Sequence, residues 1–101
     1  MALLARHFAE ELGNTFAQAA QSEAAVEELW VSTQRDGVHL WLVTAPIDMA
    51  TERRLHRLTG LLYDQFQSAD FQLHVLNPRH HGGDARRALP SQAEQIPLHS
   101  R

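Results

Sequence analysis

The 101-residue chain has no cysteine and no lysine. The first absence excludes a disulfide framework, a thiolate zinc site, an iron–sulfur cluster and a cysteine nucleophile. The second leaves all side-chain positive charge, histidine aside, to nine arginines, and twelve acids outweigh them to a formal net charge of −3. That balance disfavours nucleic acid as a partner, because duplex binding rests on neutralising phosphates. No apolar run approaches the roughly 18 residues of a membrane span, so no membrane partner is expected. The opening MALLARHFAEEL places acids where a signal peptide needs an apolar stretch and a cleavage site. A cytoplasmic protein is expected, and arginine used to the exclusion of lysine suggests a bacterial source.

Catalytic signatures are missing as well. GxSxG, HExxH, GxGxxG and GxxxxGK[ST] do not occur, and each would be needed in a defined strand–turn–helix or helical context. The acids have structural explanations: Asp36 in a turn, Asp48 at a helix cap, Asp64 late in a helix, Asp70 before a strand. No catalytic residue and no cofactor is expected. The seven histidines, His7, His39, His56, His74, His80, His81 and His99, show no HxH spacing. A catalytic zinc needs about three protein ligands and a supporting second shell, so no metal site is expected.

What is present is a composition of 44% hydrophobic and 21% charged residues, which fits one globular domain over 1–101, with 1–79 as core and 80–101 as loop and C-terminal arm. Charge is uneven: residues 1–50 hold seven acids against two arginines, and residues 51–101 hold five against seven. Leu4, Phe8, Leu12, Phe16 and Ala19 or Ala20 recur at three- and four-residue spacing and predict a helix over about 2–20, with Gly13 weakening its middle. Ser22 ahead of Glu23 reads as an N-cap, which predicts a second short helix or a continuation.

Two β-rich runs, Leu29–Arg35 and Val38–Thr44, flank Asp36-Gly37, a hairpin signal. With those two residues as the loop, Val31 pairs with Leu42 and Trp30 with Val43. Asp48 then caps a helix carrying Leu55, Leu58, Leu62 and Phe66 to about Gln67, in which Gly60 suggests close packing against a neighbour. Phe71–Leu76 reads as a third strand ended by Asn77-Pro78. Residues 80–87 read as loop, and 95–98 as an edge strand or extended arm. The order α-β-β-α-β predicts a two-layer α+β domain, with a small mixed three-stranded sheet and helices on one face.

Alternation assigns Val31, Thr33, Leu40, Leu42, Phe71, Leu73 and Val75 to the helix-packed face. The opposite face then holds Trp30, Ser32, Gln34, His39, Trp41, Val43, Gln72, His74 and Leu76. An outer face normally turns polar residues to water, and two tryptophans there suggest an interface or a ligand site. Three occupants are conceivable: a second subunit, the C-terminal arm folding back with Leu89, Ile96 and Leu98, or a small molecule. The favoured reading is a non-catalytic protein acting through protein–protein contact, most simply a homodimer, with Trp30, Trp41, His39, Val43, His74 and Leu76 at the interface.

The alternative is an anion- or nucleotide-binding domain. Arg53, Arg54 and Arg57 crowd a helix start, where cations oppose the macrodipole and free N–H groups can hold a phosphate. The element order loosely matches a minimal nucleotidyltransferase core. The metal-binding carboxylates that such chemistry places on the hairpin strands are absent, so the domain would be degenerate.

Overall fold

The computed structural model describes residues 2–66, 70–81 and 85–98. Its elements are α1 (Ala2–Ala20), β1 (Val26–Gln34), β2 (Gly37–Thr44), α2 (Met49–Arg57), α3 (Thr59–Gln65), β3 (Phe71–Leu76), α4 (Pro78–His81), a 3₁₀ turn (Ala85–Ala88) and β4 (Glu94–Ile96). The fold is α+β, and its mixed sheet has four strands in the order β3-β2-β1-β4. β1 runs antiparallel to β2 and β4, whereas β2 and β3 are parallel across the α2–α3 connection. No helix among the described residues is long and apolar enough to cross a membrane.

The apolar stripe of α1 closes over the sheet: Leu12, Phe16 and Ala20 are fully buried with Leu29, Leu40, Leu42, Leu55 and Leu62. Each such leucine or phenylalanine contributes about 1.5–3 kcal/mol by leaving water. Gly13 permits the contact between α1 and β4. A Cβ there would sit 3.0 Å from Cγ1 of Ile96.

Four expectations are corrected. The chain does not continue as helix after Ser22. It turns through hydrogen bonds from Glu23 N–H to Ala20 and from Val26 N–H to Glu23, and β1 begins at Val26. The hairpin loop is Arg35-Asp36, because Gln34 pairs with Gly37, Val31 with Leu40 and Trp30 with Trp41. Gly37 is needed one position later than the turn centre: its φ is +118°, and a Cβ there would fall on the Asp70 carbonyl, which accepts the Val38 N–H at 3.0 Å. A two-residue register shift keeps every side chain on its face.

The long helix after Asp48 breaks at Leu58. Leu58 N–H reaches back only three residues, to Leu55, and the Thr59 hydroxyl donates to the His56 carbonyl at 2.6 Å, a local bond that competes with the helix ladder. Gly60 meets nothing within 4 Å, so close packing does not explain it, and Gln67 lies outside the described residues. The C-terminal arm takes the edge-strand form of the two expected for it, and Glu94–Ile96 make the sheet four-stranded rather than three-stranded. Ile96 is buried beside Leu29 and Leu98 packs on the main core, so neither covers the outer face. Gly82, Gly83 and His99 lie outside the described residues.

Candidate functional site: the outer face of the sheet

Strand register sets the outer face in rows. Gln95, Trp30, Trp41 and His74 form one row across all four strands, Ser32, His39 and Gln72 a second, and Glu28, Val43 and Leu76 a third. Thus all six residues read from the sequence as an interface share this face. They differ in exposure. Val43 and Leu76 are 2% and 3% exposed and His39 is 7% exposed, whereas Trp30, Trp41 and His74 are half-buried.

The buried corner is closed by the chain itself. Leu89 packs with Val43, Leu76, Trp30 and Trp41 in a second apolar cluster. A polar clamp holds that segment down: Arg86 donates to Glu28 Oε2 from Nε at 3.0 Å and Nη2 at 2.7 Å, while Trp30 Nε1 donates to Glu28 Oε1 at 2.9 Å. The bond from Arg86 holds the Glu28 carboxyl below its ordinary range, against the opposing effect of burial. Of the three arm residues expected on this face, Leu89 alone is there.

At the centre, the Trp41 ring lies on His74, with centroids 4.0 Å apart and planes at 16°. Its Nε1 donates to Ser32 Oγ at 3.0 Å, which also accepts from Gln34 Nε2 at 3.3 Å. His39 Nδ1 is 2.7 Å from His74 Nε2, and His39 Nε2 is 2.7 Å from Asp36 Oδ1. The two imidazole planes differ by 8°, with centroids 5.0 Å apart. That separation is what two rings joined nitrogen to nitrogen in one plane require, so the contact is edge to edge rather than face to face.

The carboxylate accepts, which places a proton on His39 Nε2. In the neutral state His39 Nδ1 is then an acceptor for the N–H at His74 Nε2. Asp36 is held below its ordinary pKa first by the His39 bond. His74 is also pushed down, by burial foremost and then by the neighbouring His39.

The Asp36–His39–His74 chain was not apparent in the sequence, where Asp36 reads as a turn residue only. Its signal is the i,i+3 spacing of Asp36 and His39 across a tight turn, joined to the alternation that turns His39 outward.

This arrangement does not converge on a metal. The facing nitrogens of His39 and His74 point at each other rather than at a common centre, and among the described residues no three His, Asp or Glu side chains form such a group. His80 faces Glu52 at 3.3 Å, and His56 is exposed. The side chains of His7 and His81 lie outside the described residues.

The arginines of the alternative site are on α2. Arg54 is engaged by Glu23 through three hydrogen bonds of 2.9–3.2 Å. Asp48 caps the helix as expected, accepting the Thr51 N–H at 2.8 Å, and that bond keeps its carboxyl low. Arg53 and Arg57 are exposed. The chain matches no family model, and no curated protein or solved structure matches it either.

Proposed function

We propose that the protein is a non-catalytic interaction module that self-associates through the outer face of its sheet. One observation carries this reading. Trp30 and Trp41 stand opposite each other on adjacent strands, each partly exposed on the face that the long helices leave open even though Leu89 packs against them. Aromatic side chains are enriched in interfaces because they bury much area at low entropic cost. A second copy is the simplest occupant, since a face is then presented to its own equivalent about a twofold axis.

Size sets the strength. Four strands about 4.8 Å apart, three of them offering six residues or more at about 3.3 Å and β4 only three, give a face of at most roughly 20 Å by 20 Å. Two such faces cover roughly 800 Å², below the ~1,200 Å² at which standard stable interfaces begin. The contact is therefore weak and reversible, with a dissociation constant in the micromolar range or above.

The anion-binding alternative has less support. Arg54 is occupied by Glu23 and the helix start is already capped by Asp48, which leaves Arg53 and Arg57 alone. The test of the favoured reading is Trp41→Glu. Loss of a central aromatic in an interface costs about 2 kcal/mol or more, so sedimentation should show association weakened at least ~30-fold while far-UV circular dichroism stays unchanged. A variant that unfolds instead would place Trp41 in the protein's own core and remove the basis for the proposal.

A further inference from the structure

We infer that His39 and His74 form a proton-sharing pair that accepts one proton with its hydrogen bond intact, breaks on the second, and thereby makes the outer face dissociate in acid. The regulatory part rests on the self-association reading above. The proton chemistry rests on geometry alone.

The nitrogens are 2.7 Å apart and the rings nearly coplanar, so one hydrogen lies between them and a second does not fit. Asp36 holds a hydrogen on the far side of His39. The first added proton goes to the free Nδ1 of His74. The bond from His74 Nε2 to His39 Nδ1 then becomes charge-assisted, with Asp36 as counter-ion at the other end of the chain. The second proton must go to His39 Nδ1, where it confronts the hydrogen on His74 Nε2, and the bond is lost. Two sites coupled in this way take up their protons as a pair rather than independently.

The surroundings of His74 pull in two directions: burial opposes a proton there most, His39 and His56 on α2 oppose it as well, and Asp36 favours it. Along the same face the Glu28 carboxylate is neutralised by Arg86, so it offers the pair little compensation.

The consequence for the face follows from position. His74 is the ring on which Trp41 rests, so breaking its bond to His39 releases the support of the central tryptophan. It also leaves a doubly charged pair on each of two apposed sheets. Like charges about 10 Å apart across stacked sheets weaken association by roughly tenfold or more.

Two arms of one pH titration decide the matter. In Trp30→Phe, Trp41 is the single indole, and its emission reports the protonation of the ring stacked on it whether or not copies associate. Two separated steps are expected between pH 8 and about pH 4, where histidines titrate. The lower step should vanish in the same background with His74→Gln, and the upper step should move to lower pH with Asp36→Asn. A single step, or two steps that survive His74→Gln, overturns the pair.

Sedimentation of the unmodified chain over the same range is the second arm. Association falling with the lower step supports the switch. Association that ignores it overturns the switch while leaving the pair standing. No association at any pH removes both the switch and the self-association reading, and the emission steps still decide the pair. Circular dichroism through the titration separates either result from acid unfolding.

Discussion

Asn77→Ala is expected to be among the most destabilising single changes to a polar residue in this protein. Asn77 is fully buried where β3 ends, and its side chain works as a clamp on the segment between β2 and α2. Oδ1 accepts the Ile47 N–H at 3.3 Å and the Arg79 N–H at 3.2 Å, and Nδ2 donates to the Ile47 carbonyl at 2.9 Å. Alanine removes all three bonds and leaves both backbone groups of Ile47 in a buried setting without a partner. An unsatisfied buried group costs about 1–3 kcal/mol. Part of the strain is relieved as the segment shifts toward water, and the expected loss is about 2–4 kcal/mol, a large share of the 5–15 kcal/mol typical of a domain. Urea unfolding followed by circular dichroism measures it, with the midpoint falling and the slope unchanged. Asn77→Asp, which keeps the acceptor and loses the donor, should also destabilise, since it sets a carboxylate against the Ile47 carbonyl. A loss below about 0.5 kcal/mol, the size of ordinary surface substitutions, would refute the clamp.

The two glycines of the corrected segments should respond in opposite directions. Gly37→Ala forces a Cβ onto the Asp70 carbonyl at a φ of +118°, and a loss of more than about 1 kcal/mol is expected. Gly60→Ala adds a methyl group into open space within a helix and should raise stability by about 0.5–1 kcal/mol in the same urea assay. Stability should also fall in acid. His74 is depressed from its ordinary value of 6.5, so the unfolded chain binds a proton there first and stability declines as pH drops below about 6.5. Glu28, Asp36 and Asp48 are depressed from 4.5, 3.8 and 3.8. Their contribution is present above those values and is lost as pH falls past them. A melting temperature that stays flat from pH 7 to about pH 5 would contradict the His74 contribution, and one that stays flat from about pH 5 to about pH 2 would contradict that of the carboxylates.

Strand alternation carries most of what the sequence discloses about this fold. It places Trp30, Trp41, His39 and His74 on one face, and that assignment is insensitive to whether the hairpin loop is Asp36-Gly37 or Arg35-Asp36 because the two registers differ by two residues, an even number. The helix stripe from Phe8 to Ala20 and the Asp48 cap were legible for the same kind of reason, since both are local signals. Contacts between distant residues were not. Glu28 and Arg86 are 58 positions apart and Ile47 and Asn77 are 30 apart, and neither pair has any periodicity to announce it. β4 is three residues long, just ahead of Pro97, too short for alternation to be visible, so its place beside β1 emerges only when Ile96 is seen against Gly13 and Leu29. The break at Leu58 escaped detection because the leucine spacing runs straight through it. The break is marked by the Thr59 hydroxyl bond to the His56 carbonyl, a local feature that apolar spacing does not register.

Solution mass by light scattering, followed over a wide concentration range at neutral pH, tests the self-association of the outer face most directly. The mass should rise from 11.4 kDa toward twice that value, with a midpoint in the micromolar range or above, as a face of this size requires. A mass that stays at 11.4 kDa up to the highest concentration would contradict self-association, and Trp30 and Trp41 would then serve only to pack the C-terminal segment that carries Leu89.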